Sequence, residues 1–283
     1  MVATLALCND IDFADWDTYR AAHHELREEF GIDAEDSFWL FDPAGSDMAL
    51  FKSSLNEKGP RHDELLADIQ IGRLNILHAA GNFDFATTDQ RPTRRMIADG
   101  LDYLAEHARV PEVWTNHGDT GNLQNIGWPG CTYQCGDNPA ADSYVLDLLL
   151  QHGVRYFWTD RDTTNDFVES PIVHSEQTRA GYHIDCFTRY RGALKKAPDA
   201  ETLFQQLTDE NLDQLIDEEN SVVVYQHWCV HRETDGRPVC AGRPVFPENS
   251  WRSLKRLSEY RDHGKVVISR VADLLETCMP EKA

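Results

Sequence analysis

Short apolar runs alternate with segments of helical periodicity along most of the chain. The first run, residues 4–8, ends at the carboxylates Asp10 and Asp12. Later runs that we interpret as strands lie at residues 37–41, 74–78, 113–119, 154–160, 182–190, 221–228 and 265–269. Helices are predicted over residues 14–30, 60–70, 91–106, 139–152, 200–218 and 248–262, with a last helix ending at 277, and a loop or hairpin over 43–59. This alternation predicts an α/β fold: a distorted (β/α) barrel of seven or eight mostly parallel strands, with residues 1–283 as a single domain.

The two carboxylates that follow the first run pose a specific question. On an extended strand, Asp10 and Asp12 point to the same side, and two like charges so close require a cation between them or a shared proton. The alternative is an Asp-rich turn that caps the helix starting near Asp15. We favour a functional site at the carboxyl end of this strand.

Other predicted strands also end in polar residues of catalytic type. In chain order these residues are His78, Asn116, His117, Asp119, Asp160 and His227. Parallel α/β barrels carry their active sites at the carboxyl ends of the strands. Aspartate and histidine together form the ligand set of zinc or a similar divalent ion, which activates bound water and polarises a carbonyl. The pattern therefore predicts a metal-dependent hydrolase.

Composition narrows the range of partners. The chain has 283 residues, with 48 Asp and Glu against 27 Lys and Arg, a formal net charge of −21. Such a surface repels phosphate backbones, so we expect no nucleic-acid partner, and no Gly-rich phosphate loop follows the first strand. Without a leader-like segment or an apolar run of membrane-spanning length, we expect a cytoplasmic protein with no membrane insertion. Seven scattered cysteines fit reduced thiols.

Four motifs follow one another in a familiar order. They are N-D-I-D at residues 9–12, His78 followed by Asn82, F-T-R-Y-R-G at 187–192, and V-V-V-Y-Q-H at 222–227. Together they resemble the polysaccharide deacetylase (NodB-like) family of carbohydrate esterases, a family of distorted (β/α) barrels. The spacing of the paired aspartates differs from the family motif. Asn82 stands where the family has the second histidine of H-x3-H, and His117 is the alternative ligand.

The resemblance implies roles for individual residues. Asp10 is assigned as the catalytic base and His227 as the general acid, with Arg189 as a third catalytic residue. A divalent metal, zinc, is expected on Asp12, His78 and His117, although Asp10 and Asp12 could exchange roles. If both bind the metal, the base would come from Asp84, Asp119 or Asp160. The residues assigned to substrate binding are Asn116, Trp158, Asp160 and Trp228, because aromatic faces and polar groups at strand ends suit sugar rings.

The resulting hypothesis is a cytoplasmic, metal-dependent carbohydrate deacetylase-like hydrolase. It would cleave the amide bond of an acylated amino sugar or modified glycan, with metal-activated water as the nucleophile. One alternative keeps the barrel but cleaves a glycosidic bond with paired carboxylates. The other alternative is a non-catalytic barrel that binds sugar or a partner protein.

Overall fold

The computed structural model describes residues 2–12, 14–118, 120–194, 197–229 and 245–279. The strands are β1 (Ala3–Asn9), β2 (Glu35–Phe41), β3 (Ala49–Phe51), β4 (Leu74–His78), β5 (Val113–Thr115), β6 (Tyr156–Trp158), β7 (Thr163–Thr164), β8 (Val173–Gln177), β9 (His183–Phe187), β10 (Arg189–Tyr190), β11 (Ser221–Gln226) and β12 (Val266–Ser269). The helices are α1 (Trp16–Phe30), α2 (His62–Ile71), α3 (Arg94–His107), α4 (Leu146–Gln151), α5 (Leu203–Gln206), α6 (Asp209–Asp217), α7 (Glu248–Asp262) and α8 (Val271–Thr277).

The chain divides into two units. Unit 1 comprises Met1–Asp36, Thr163–Val173 and Thr188–Ala283, and unit 2 comprises Ser37–Asp162 and His174–Phe187. Strand β2 begins in unit 1 and continues into unit 2. Within the described residues, no helix is both long enough and apolar enough to cross a membrane.

Strand β1 is the centre of unit 1. It pairs in parallel with β11 along most of its length, from Thr4 opposite Ser221 to Asn9 opposite Gln226. Along its other edge it pairs in parallel with β12 over its first half and with the start of β2 at its end. Because β1 has neighbours on both edges and is buried on both faces, its sequence is apolar without alternation.

The cap of helix α1 answers the question about the acidic stretch before it. The Thr18 amide donates a 2.7 Å hydrogen bond to Asp15 Oδ1, and Gly31 ends the helix with a positive φ of 60°. Since Asp15 is the N-cap, neither Asp10 nor Asp12 is needed for capping. The N-cap of α1 is therefore Asp15 and neither of those two carboxylates.

Unit 2 also has parallel strand pairs. Strand β3 pairs with the end of β2, β4 pairs with β5, β5 pairs with β6, and β6 pairs with β9, all in parallel. Short parallel strands joined by helices bury both faces of the sheet, as the apolar runs predicted. The mixed α/β class and the mostly parallel strands are confirmed. The closed (β/α) barrel and the single domain stay predictions.

Four details differ from the prediction. Residues 43–59 contain a parallel strand, β3, and residues 161–181, for which no strand was predicted, contain β7 and all of β8. The helix predicted over 139–152 is limited to α4, because residues 135–141 form successive turns. The helix predicted over 200–218 is two helices, since the Thr208 side chain accepts from the Asn211 amide at 3.1 Å and starts α6 anew.

Candidate functional site

The acidic end of strand β1 lies beside the end of strand β11. The Asp10 amide donates to the Gln226 carbonyl at 2.8 Å, and the Trp228 amide donates to Asn9 Oδ1 at 2.8 Å. These two bonds hold the segments that follow the two strands next to each other. Asp10 and His227, 217 positions apart in sequence, therefore emerge at the same edge of the unit 1 sheet.

Asp10 forms a buried ion pair with Arg189. The Arg189 Nη1 donates to Asp10 Oδ1 at 2.8 Å, and neither residue is more than 2% exposed. The guanidinium also lies 3.8 Å from the centroid of the Tyr225 ring and 3.5 Å from Cys8 Sγ. Burial alone lowers the pKa of Arg189, but Asp10 and the other neighbours raise it above its ordinary value, so the guanidinium stays charged.

The same neighbourhood keeps two other groups neutral. Burial, with a smaller contribution from Asp10, raises the pKa of the Tyr225 phenol far above its usual range. Burial also raises the pKa of the Cys8 thiol to about 12. Neither group ionises near neutral pH, so Asp10 is the anion that balances Arg189.

Asp12 faces His227 rather than Arg189. The His227 Nε2 is 3.2 Å from Asp12 Oδ2 and 3.3 Å from the Tyr225 hydroxyl. The other ring nitrogen, Nδ1, is 3.2 Å from the Pro198 carbonyl, which can only accept, so Nδ1 carries a proton. A neutral His227 would then turn a lone pair toward the Asp12 carboxylate. A proton or a cation must lie between His227 Nε2 and Asp12.

The side chains of Asp10, Asp12 and His227 form a group that could hold a metal ion. Each offers one ligand atom, these atoms lie within 4.8 Å of one another, and all three residues are buried. The Arg189 guanidinium already neutralises Asp10, which disfavours a second cation on that carboxylate. Asp12 is therefore the carboxylate of this group that is better suited to a metal or to a histidine proton.

Unit 2 brings together two of the histidines predicted as metal ligands. The His117 Nδ1 is 3.1 Å from His78 Nε2, although the residues follow different strands. The His78 Nδ1 is 2.7 Å from the Thr115 hydroxyl, and the His117 Nε2 is 3.2 Å from Asn82 Oδ1. Such bonds on the outer nitrogens fix the rings as ligand histidines are fixed in metal sites.

The tautomer of His117 follows from Asn82. The Asp84 amide donates to Asn82 Oδ1 at 3.3 Å, so that atom is the amide oxygen and His117 Nε2 donates to it. The His117 Nδ1 then has a lone pair directed at His78 Nε2. Between the two rings there is again room for one proton or one cation. Of the three predicted metal ligands, His78 and His117 belong to unit 2 and Asp12 to unit 1.

The residues predicted to bind substrate make internal contacts. The Asn116 side chain is buried, accepts from the Trp114 ring N–H and the Ile126 amide, both at 3.0 Å, and donates to the Ile126 carbonyl at 2.8 Å. These bonds join the two ends of the loop at residues 116–126, which follows β5. Asp160 accepts a hydrogen bond from Gln134.

The two tryptophans assigned to sugar binding are buried. Trp158 is 7% exposed, and its ring N–H donates to the Asp162 carbonyl at 2.7 Å. Trp228 is 1% exposed and packs edge-on against Phe246 with 6.1 Å between ring centroids. These contacts are those of core tryptophans. Asp84 and Asp119 were the other carboxylates considered as the base. Asp84 accepts from the Ala86 amide at 2.7 Å and caps the turn that follows it, and Asp119 lies outside the described residues.

No protein family model, curated protein or solved structure matches this chain. The resemblance to the polysaccharide deacetylases therefore rests on the quoted sequence motifs alone.

Sequence reasoning missed four partners of the predicted site residues. They are Tyr225, Thr115, Asn82 as a hydrogen-bond acceptor, and the Pro198 carbonyl. Tyr225 and Thr115 lie two residues before His227 and His117, on strands that end at the site. A search for hydroxyl side chains near the end of each strand would have found both. The carbonyl of Pro198 carries no signal in the sequence.

Proposed function

We propose that this chain is a metal-dependent hydrolase that removes an acyl group from an amino sugar or a modified glycan. The observation that carries the proposal is the fixed orientation of His227. Because Nδ1 is bonded to the Pro198 carbonyl, Nε2 is the nitrogen that exchanges a proton, and it faces Asp12 beside Asp10. A histidine and two carboxylates at one strand-end edge are the groups that amide hydrolysis requires.

In this proposal each residue of unit 1 has one task. Asp10 takes the proton of the attacking water, and Arg189 positions it by holding one of its oxygens. His227 returns a proton to the leaving amine from Nε2. Tyr225 lies within 3.3 Å of that nitrogen and helps to keep the imidazole in place. Asp10, Arg189 and His227 are each at most 6% exposed, which keeps bulk water away from the proton transfers.

Zinc is the proposed cofactor. Two ligands of a tetrahedral zinc ion, bound at about 2.0–2.1 Å, lie about 3.3 Å apart. The two histidine nitrogens of unit 2 are 3.1 Å apart, and both rings are oriented by outer hydrogen bonds, so the donor set fits the ion. When bound, the ion would lower the pKa of water and polarise the acyl carbonyl.

Glycoside hydrolysis gains no comparable support. That reaction pairs Asp10 or Asp12 with an Asp from another strand, about 5–5.5 Å away for retention or about 6.5–9.5 Å away for inversion. Asp10 is instead bound to Arg189, and Asp12 lies 3.2 Å from His227 Nε2. These contacts favour a site with a carboxylate base and an imidazole acid over a site with two carboxylates.

The test combines metal analysis with acyl release. Protein purified without a histidine tag is loaded with zinc, and acetate release is measured on a panel of N-acetylated sugars and glycan fragments. We expect stoichiometric zinc and measurable release in the wild type. Asp10→Asn and His227→Gln should each lower kcat by about 10²–10⁴-fold with the fold intact, which is the usual contribution of a positioned acid or base.

The matched controls are Asp17→Asn and His24→Gln, two exposed positions on helix α1 of the same unit. Both should behave like the wild type. Zinc-loaded protein that releases no acyl group from any member of the panel would contradict the proposal. So would Asp10→Asn or His227→Gln protein with wild-type kcat.

A further inference from the structure

A different group of ligand-type side chains lies in unit 2, around the hairpin of β8 and β9. It consists of Asp162, His174 and Cys186, here called the hairpin cluster. Their ligand atoms lie within 4.8 Å of one another, and Asp162 Oδ1 is 3.3 Å from His174 Nε2. None of the three residues belongs to the proposed hydrolase site.

The hairpin itself brings two members of the cluster together. The Thr178 amide donates to the Tyr182 carbonyl at 2.9 Å, which closes the turn between the strands. His174 is four residues before Thr178 and Cys186 is four residues after Tyr182, so the two are opposite each other across the ladder. Opposite residues project to the same face, with their Cβ atoms about 5 Å apart. The sheet geometry thus places an imidazole and a thiol side by side.

The third member, Asp162, is held by its neighbour. Its Oδ2 accepts from the Thr159 amide at 3.2 Å and from the Thr159 hydroxyl at 2.5 Å, which leaves Oδ1 directed at His174. The Trp158 ring N–H donates to the Asp162 carbonyl at 2.7 Å and fixes the backbone as well. Ligating carboxylates in metal sites are oriented by outer hydrogen bonds of this kind.

Cys186 supplies the observation that points to a ligand. Its side chain is completely buried, its thiol is not in a disulfide, and its sulfur lies within 4.8 Å of the ligand atoms of Asp162 and His174. A thiolate and the Asp162 carboxylate would together balance the charge of one divalent cation, which is the condition for burying such an ion.

We propose that Asp162, His174 and Cys186 bind one zinc ion that fastens the segment after β6 to the hairpin. Zinc with bonds of about 2.0–2.3 Å needs its ligand atoms about 3.3–3.6 Å apart. Asp162 and His174 already meet this distance, and Cys186 must approach by at most about 1.2 Å, which side-chain rotation supplies. Glu176 is 3.7 Å from His174 Nε2, but its other oxygen pairs with Arg161, so we assign it no ligand role.

Cobalt titration tests this site separately from the hydrolase site. Cobalt replaces zinc in such sites, and a cysteine ligand gives a thiolate-to-cobalt charge-transfer absorption in the near ultraviolet. We expect the wild-type, untagged protein to develop this absorption as cobalt is titrated, with an amplitude of one thiolate site per chain at saturation, and to lose it when zinc is added. Asp10, Asp12, His78, His117 and His227 contain no sulfur, so a metal at the hydrolase site does not produce the band.

Variants define the ligands. Cys186→Ser should abolish the charge-transfer band, and His174→Gln, at a position that is one-third exposed and tolerant of change, should weaken cobalt binding at least tenfold. Thr159→Val should weaken it by about 10–100-fold, because it removes the bond that orients Asp162. His183→Gln, an exposed histidine on β9, and Cys135→Ser, a loop thiol, are the matched controls and should leave the band unchanged.

Two outcomes would overturn the proposal. One is a folded wild-type protein that develops no thiolate band with excess cobalt. The other is a band that persists at full strength in His174→Gln, which would place the cobalt on another thiol. Because His174→Gln leaves the core intact, this result can be read even if Cys186→Ser does not fold.

Discussion

Removing Arg189 should strongly destabilise unit 1. Arg189→Met keeps most of the side-chain volume but leaves the Asp10 carboxylate buried without its cation. Breaking a buried ion pair in this way costs about 3–5 kcal/mol of unfolding free energy. The cation–π contact with Tyr225, at 3.8 Å from the buried guanidinium, contributes about 1–2 kcal/mol of the interactions lost. Because both partners are buried, solvent screening reduces neither contribution.

The assay is urea unfolding followed by far-ultraviolet circular dichroism at neutral pH. With a slope of about 3 kcal/mol per molar urea, a loss of about 3–5 kcal/mol lowers the midpoint by about 1–1.7 M. The double variant Asp10→Asn, Arg189→Met should recover part of the loss, since it leaves no buried charge without a partner. The sharper test is the sign of the coupling energy between the two substitutions: the double variant should lose less stability than the sum of the two single variants.

An exposed ion pair provides the control. Arg252 pairs with Glu248 on the surface of helix α7, where both side chains are more than two-thirds exposed. Arg252→Met should change the unfolding free energy by less than about 0.5 kcal/mol. A loss below about 1 kcal/mol in Arg189→Met, or a double variant less stable than both single variants, would refute the buried ion pair.

Three other changes have definite expected outcomes. Burial raises the pKa of Asp137, but hydrogen bonds from Arg179 outweigh this effect and leave the pKa below its ordinary value. The contribution of the Asp137 carboxylate to the unfolding free energy is therefore present above about pH 4 and is lost as the pH falls further. When stability is measured against pH, Asp137→Asn should not show this loss. Asp15→Ala should cost about 1 kcal/mol in urea unfolding by removing the cap of α1, while Asp15→Ser should retain most of it. In native protein at pH 8, iodoacetamide should modify Cys278 and spare Cys8, which is buried with a pKa of about 12, as peptide mass spectrometry would show.

Local patterns were enough to predict most helices and strands. Helix α7 has the predicted bounds 248–262, and β4 matches the predicted run 74–78, because apolar periodicity and turn residues act over a few positions. The break between β9 and β10 was not predicted. It lies in one apolar stretch, 182–190, whose two halves pair with different strands, and such long-range pairing has no local signature.

The candidate site was predicted less completely than the fold. Asp10 and His227 were identified because polar residues at the ends of buried strands stand out from the run before them. Arg189 came only from the family resemblance, since its partner is 179 positions away. Cys186 was assigned no role. It lies opposite His174 only because β8 and β9 pair as a hairpin, and the polar sequence of β8 did not predict that pairing. The sequence therefore predicted residue types at strand ends better than the pairs they form.

Asp10 and Asp12, the two carboxylates that follow β1, differ in their chemical environment because they contact different side chains. Asp10 has its charge balanced by a fully buried arginine, and that balance does not change near neutral pH. Asp12 lies 3.2 Å from Nε2 of His227, whose other ring nitrogen is bonded to the Pro198 carbonyl. In the proposed mechanism Asp10 therefore accepts a proton from water while Arg189 holds it, and His227, beside Asp12, donates a proton from Nε2. One strand end then carries a carboxylate base held by Arg189 next to an imidazole acid held beside Asp12, which is the asymmetry that acid–base catalysis needs.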